Sequence, residues 1–403
     1  MTKAPLWTRR FFAIIIANGL LFASFHCLLP TLPLYVASLG ASGAEIGLIS
    51  GIFGVSAIFI RFFTDDFVKL LGKKKCLYLG LFFSLISTVA YAFFTSIHML
   101  LIARVVQGLG FGLGTTFAAA LAVDIIPSSR RGEGVGYFGL GNTISMGIAP
   151  ALGVMLLTDF SSDFLFAFST IAAALAVGCT VFCSESASAV RRSRRAPKVK
   201  VPWRSRFFEA GTGFPSFFTM LFGLAYGCVN TFIALLAQEV HIPNSGFFFV
   251  VGTVFVFLTR TFGGRVYDSK GPFWVLLPGI VSYTVGLVVI INATSFTALM
   301  IAAVFYGTGA GLIMPSLMTW LFNSVAPERR SSASATYYNM LDVGTSGGII
   351  VLGGVAGVIG YVNMFYYVLA AMVLFLAAFL GQHFYKPSAA RKLMVHQEDS
   401  AHG

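Results

Sequence analysis

The chain has 403 residues, of which 57% are hydrophobic and only 10% charged, against about 25% charge in soluble domains. Its mean hydropathy of +0.84 excludes a soluble globular fold. The net charge of +12 would suggest nucleic acid in a soluble protein, but basic residues confined to loops and tails are better explained by a membrane surface.

Apolar runs of about 20 residues recur along the chain, each long enough to cross about 30 Å of hydrocarbon as a helix. Backbone groups in lipid must be satisfied internally, so runs of this length mean helices. Twelve spans are predicted, at 11–36, 46–66, 76–95, 98–123, 133–157, 164–183, 212–237, 246–266, 273–292, 296–323, 332–359 and 361–384. The expectation is an all-α membrane protein.

The connections alternate in charge. Lys3, Arg9 and Arg10 precede the first span, and Arg61, Lys69, Lys73, Lys74 and Lys75 cluster between the second and third. Arg130 and Arg131, the middle loop, Arg260, Arg265 and Lys270, Arg329 and Arg330, and the tail carry the rest. All but one of the 27 Lys and Arg fall on one side, which places both termini in the cytoplasm by the positive-inside rule. The opposite loops hold Glu45, Asp159, Asp163 and Glu239. The middle loop divides the chain into a six-span bundle at 1–183, a basic linker at 184–206 and a second bundle with a short tail at 207–403. Its charge density suits a solvated or headgroup-bound linker.

Five cysteines fall mostly inside apolar spans with no CxxC pair, so neither a metal site nor a disulfide framework is expected. No cleavable signal peptide is read at the N-terminus.

Within the first span, Asn18, Phe22 and His26 share a face at i, i+4, i+8. His26 has two readings, a hydrogen-bonded packing residue or a proton relay near neutral pH. The fourth span carries the one basic residue outside the loops, Arg104, in LLIARVVQGLGFGLG. A cation in hydrocarbon costs at least about 2.5–3.5 kcal/mol, so it faces a cavity or partner, or snorkels to the headgroups. Gly108, Gly110, Gly112 and Gly114 behind it let a neighbouring helix approach closely. Tyr226 and Asn230 share a face of the seventh span, and Met314 and Trp320 lie on the tenth. Together with Asn18, Phe22 and His26 these four are the candidate cavity residues. Asp342 lies about ten residues into the eleventh span, near mid-membrane at about 1.5 Å per residue. It is either a proton carrier, its affinity set by burial against nearby cations, or a structural cap in LDVGTSGG.

The halves align on themselves. At a shift of 199 residues Arg61 meets Arg260, Gly72 meets Gly271, and Gly108, Gly110 and Gly112 meet Gly307, Gly309 and Gly311. At 200, Pro127 meets Pro327, Tyr137 meets Tyr337, Asn142 meets Asp342 and Gly147 meets Gly347. A duplicated six-span unit is how many secondary transporters are built, with the substrate near mid-membrane between the repeats.

At these residues the chain resembles the major facilitator superfamily over essentially its whole length. RTFGGRVYDSKGPFWVL (Arg260–Leu276) is similar to the family's loop signature, with Gly264, Asp268 and Gly271 at its spacing. The first-half counterpart, RFFTDDFVKLLGKKKCL (Arg61–Leu77), keeps Gly72 but has Asp65 for the Gly and Lys69 for the latch-forming Asp. Asp65 and Asp66 stand close enough to substitute. The fourth span resembles that of proton-coupled members, with Arg104 at the coupling position. NTISMGIAPALG, with Asn142, Gly147, Pro150 and Gly153, is similar to the fifth-span antiporter signature, Ala149 replacing a Gly. LLPTLPLYV (Leu28–Val36) resembles the outer end of the first span in drug-exporter-like members.

The resemblance implies two pseudo-symmetric six-helix bundles in a plasma (inner) membrane, expected to be bacterial. It implies a monomer embedded in the lipid bilayer that exchanges protons for a small amphipathic organic substrate. Arg104, Asp342 and His26 would serve coupling, and Asp65, Asp66, Lys69, Gly72, Arg260, Gly264, Asp268 and Gly271 conformational gating. An importer of a sugar, organic acid or metal chelate stands as the alternative, and a non-transporting receptor or scaffold as a third. With no Walker loop, GxSxG or HExxH, neither an enzyme, an ATP-driven pump nor a cofactor is expected.

Overall fold

The computed structural model describes residues 6–127, 130–181, 207–326 and 329–399, and the side chains of these except 65, 131, 132, 331 and 385–399. The basic linker therefore lies outside the described residues, as do the side chains of the basic tail residues Lys386, Arg391 and Lys392. Among the described residues there is no strand. Twelve helices have the length and hydropathy to cross a membrane: α1 (Arg9–Ser38), α2 (Gly43–Arg61), α3 (Lys73–Phe93), α4 (Ile97–Ile125), α5 (Glu133–Phe160), α6 (Ser162–Thr180), α7 (Gly213–Glu239), α8 (Phe247–Lys270), α9 (Phe273–Ile291), α10 (Phe296–Asn323), α11 (Ser332–Ile359) and α12 (Tyr361–Phe384).

The last three coincide with the predicted spans at both ends. The second span was expected to reach residue 66 but stops at Arg61, and a separate amphipathic helix, Thr64–Leu71, follows. The amides of Phe62 and Phe63 bond to carbonyls three residues back, Phe59 and Ile60, which tightens and ends the helix. The equivalent stretch of α8 runs unbroken to Lys270. Gly72 (φ 79°) and Gly271 (φ 87°) close the two stretches in the left-handed region, where a side chain would be strained. Helix α1 is interrupted at Cys27, just before Pro30 and Pro33, which cannot donate to the helical ladder. The Thr31 hydroxyl takes up the Cys27 carbonyl at 2.5 Å. At the far end Ser42 and Glu45 form a reciprocal capping box at the start of α2.

The duplication read in the sequence reappears as packing. In α4, a Cβ on Gly108 or Gly112 would strike α2 at Phe53–Ser56 or Ala57–Ile60, and one on Gly110 would strike α3 at Gly80 and Ser84. In α10, Gly307 and Gly311 meet α8 at Gly252 and Val256–Thr259, while Gly309 meets α9 at Gly279 and Tyr283. Each middle helix is thus clamped between the same two partners, its outer glycines serving one and its central glycine the other.

An even number of spans puts both ends of the bundle on one face, which also carries the basic loops. Contacts between the halves concentrate away from that face. Gly43 meets Gly357 and Gly47 meets Gly353 across α2 and α11, while Gly246 meets Ala151 and Gly147 meets Thr253 across α5 and α8. The outer half of α1 packs on α7 within one buried cluster that includes Leu28, Leu32, Val36, Phe232 and Leu236. Toward the basic face Gly136 and Gly139 on α5 and Gly264 on α8 face open space. The halves are sealed at the far side and splay toward the basic one, where the Arg61–Asp342 pair and the stacked Phe62 and Phe207 rings still join them.

Candidate functional site

The two bundles each hold a buried polar hub. In the first, Arg104 on α4 is completely enclosed. Its Nη1 donates to Gln107 Oε1 at 2.5 Å, and the same oxygen accepts from Tyr91 Oη at 2.8 Å. The guanidinium carbon lies 5.0 Å from the Phe53 ring centroid, a cation–π contact that partly replaces lost hydration. Its Nε and Nη2 have no hydrogen-bond partner among the described residues. Snorkelling is thereby ruled out, but among the described residues the side chain meets no acid: it is held inside its own bundle, with the amide oxygen of Gln107 as its hydrogen-bond acceptor.

His26 sits beside this hub. Its ring is 5.5 Å from Phe22 and 5.3 Å from Phe25, and Phe25 stacks on Phe53 at 4.4 Å. Its Nδ1 is buried without a partner among the described residues. Asn18 is buried, and Phe22 packs edge-on against Phe111 of α4 at 5.2 Å. The face read at i, i+4, i+8 therefore turns toward α4.

The second hub is neutral. Asn230 Nδ2 donates to Tyr306 Oη at 2.8 Å and to the Tyr226 carbonyl at 2.7 Å. Tyr226 stacks on Tyr306 at 6.3 Å, and Tyr283 lies 5.4 Å from Tyr306. The Tyr226 hydroxyl donates to Met146 Sδ of α5 at 3.0 Å, crossing to the first bundle. Tyr226 and Asn230 thus come together at the seam, as their shared face suggested. Met314 contributes its carbonyl, which accepts from Tyr337 Oη at 3.1 Å. Trp320 corrects the expectation of a cavity residue. It stacks on Phe218 at 5.8 Å and meets Phe379 edge-on, inside the aromatic core of α7, α10 and α12. Its period along α10 points it away from Met314's side of the helix.

Asp342 does not join Arg104 or His26. It pairs with Arg61 of α2, across the two halves on the splayed side, and both side chains are about a quarter exposed. In the sequence Arg61 reads as a loop charge aligned with Arg260, and no spacing there assigns it to Asp342. Arg260 itself is exposed near the middle of α8, within electrostatic reach of Tyr226, Tyr337 and Tyr338, and has no ion-pair partner among the described residues. Tyr306 and Gln107, the two hubs, were likewise missed. They stand 199 residues apart, each beside an aligned glycine.

In the gating loops, Asp66 pairs locally with Lys69 at 2.8 Å and Lys73 with Asp124 at 2.6 Å, so Lys69 serves its own short helix. The side chain of Asp65 lies outside the described residues, and Asp268 is exposed. Of the fifth-span residues, Gly147 meets Thr253, Gly153 lies against the Cys27 carbonyl at the break in α1, and Asn142 Oδ1 is buried without a partner among the described residues. Pro150 lies inside α5.

The family profile of the Major Facilitator Superfamily matches residues 14–272 and 215–395. The staphylopine export protein of Staphylococcus aureus is 23% identical over 384 residues, covering 91% of this chain and 93% of that protein. The quinolone resistance protein NorA of the same organism is 21% identical, covering 86% and 89%. Among solved structures, a mutant of the nucleoside transporter NupG superposes with a TM-score of 0.77 at 16% identity, covering 92% of this chain and 99% of that one. Twelve apolar helices, a duplicated glycine clamp and a profile spanning both halves lead to one conclusion: the chain belongs to the Major Facilitator Superfamily and is an integral membrane transporter.

Proposed function

We propose that the protein is a proton-driven exporter of small amphipathic organic compounds, working by alternating access as a monomer in a bacterial plasma membrane, with its basic face in the cytoplasm. The observation that carries this reading is the Arg61–Asp342 pair. It joins the halves on the splayed side, where a carboxylate that gains a proton releases its cation. The sealed far side and open basic side then describe the carrier ready to load from the cytoplasm. In the empty carrier the ion pair fixes α2 against α11 in one orientation and so limits leak. Substrate binding separates the halves' charges and permits the outward swing. A proton taken up by Asp342 outside allows the return, and its release inside re-forms the pair. Arg104 and His26 sit outside this contact and tune coupling from the hub among α1, α2 and α4. Similarity over most of both chains to the staphylopine export protein, and to a quinolone resistance protein, supports the direction.

The test uses inside-out vesicles with an acidified lumen and a panel of fluorescent amphipathic dyes. Accumulation that a protonophore collapses and that Asp342→Asn lacks is the expected result. Accumulation confined to right-side-out vesicles would mean import.

A further inference from the structure

We infer that the cavity between the bundles selects organic anions, with Arg260 as the residue that takes the substrate's acidic group. The inference deepens the exporter reading and rests on it for the cavity's role. The argument begins from the twofold relation. Arg61 and Arg260 occupy equivalent positions, and so do Asp342 and Asn142. Contacts within the bundles follow the register that pairs Asn142 with Asp342: Ser145 Oγ on α5 donates to the Gly19 carbonyl of α1, and its equivalent Thr345 Oγ1 on α11 donates to the Gly223 carbonyl of α7. One ion pair in this duplicated frame is complete, Arg61 with Asp342. Its mate is not. Asn142 stands where the second carboxylate would be, its Oδ1 buried without a partner among the described residues, and an amide cannot neutralise a guanidinium.

Arg260 is left exposed and unpaired among the described residues, about midway along a membrane-crossing helix. Tyr226, Tyr337 and Tyr338 lie within its field, and Tyr338 also feels Arg61 and Asp342. The cluster therefore holds two guanidinium groups against one carboxylate. A cationic compound entering from the basic face meets net repulsion, because the carboxylate is already engaged. A compound with one anionic group and an aromatic body balances the charge and has Tyr226 and Tyr338 to lie against. The guanidinium's planar fork suits a carboxylate, sulfonate or phosphate, the first and last in two-point fashion.

Binding at equilibrium, in phosphatidylcholine nanodiscs with no gradient, separates this inference from the direction of transport. The probes are 1-naphthylacetate, 1-naphthalenesulfonate and 1-naphthyl phosphate, with 1-naphthylacetamide and 1-naphthylmethylamine as neutral and cationic counterparts. At least one anion is expected to bind on the order of tenfold more tightly than the amide, and the amine not measurably. Arg260→Gln is expected to reduce that anion to the amide's affinity, and Arg260→Lys to retain part of the difference. Asn142→Asp supplies the missing carboxylate and is expected to lose anion binding while Arg260 remains in place, so it decides the matter if Arg260→Gln fails to fold. Amine binding as tight as that of any anion, no binding by any of the three anions, or an anion affinity untouched by both Arg260→Gln and Asn142→Asp would overturn the inference.

Discussion

The two bundles share a frame and differ in what fills it. At one hub Gln107 accepts from a buried cation and a tyrosine. At the equivalent place in the other, Tyr306 accepts from the Asn230 amide among neutral aromatic rings. The glycines flanking both positions do the same packing. Duplication has therefore preserved the contacts that set helix spacing and released the polar positions to diverge. Spacing is fixed by backbone approach, which tolerates no added carbon. Polar side chains need only some partner, and different partners satisfy that need.

The sharpest way to break the comparison is to remove the cation that only one hub has. Arg104→Met is expected to lower gradient-driven flux on the order of a hundredfold or more. Its melting temperature in detergent should hold or rise, because a buried cation without an acid is unfavourable by about 2.5–3.5 kcal/mol. Unchanged flux would reduce Arg104 to a packing residue.

Next is the asymmetry of the ion pairs. A pH difference of one unit is worth about 1.4 kcal/mol per proton and supports about tenfold accumulation. Asp342→Asn should lose that accumulation yet still exchange labelled for unlabelled substrate at equal pH. If the variant still accumulates substrate, the proton is carried elsewhere.

The two seams are expected to behave alike. Gly47→Val in α2 and Gly147→Val in α5 each force a side chain into a backbone or side-chain contact across the halves, at about 1–3 kcal/mol. Labelling of a cysteine placed at the far side, by an impermeant reagent, should rise several-fold in both. A change at one seam alone would show that the halves do not rock as paired bodies.

The smallest difference is between the hubs' central residues. Gln107→Leu removes the hydrogen-bond acceptor of Arg104 and should destabilise by about 1.5–3 kcal/mol. Tyr306→Phe loses one neutral bond and should lose about 1 kcal/mol, read as a smaller fall in melting temperature. Equal losses would mean that Arg104 finds another acceptor.

Much of this was legible in the chain. Long apolar runs admit one backbone solution in lipid, so the spans and their number followed directly. The glycine triplets at a fixed shift predicted matching clamps, since a missing side chain has one mechanical meaning. Polar partnerships were less legible. Arg104 and Asp342 share a coupling role in the sequence reading because both are ionisable groups in hydrocarbon, yet they lie in different bundles with different partners. Trp320 had the right depth for a cavity residue and the wrong rotation about its helix.

By itself the sequence determined that twelve helices cross a membrane, that six repeat six, and that the two middle helices are clamped by bare backbone. Those properties depend on composition and local periodicity, which each segment carries alone. Only the tertiary structure decided that Asp342 meets Arg61, that Arg260 has no acid partner among the described residues, and that the halves part toward the basic face. Those facts depend on how helices distant in the chain are rotated and tilted against one another, and no segment encodes that separately.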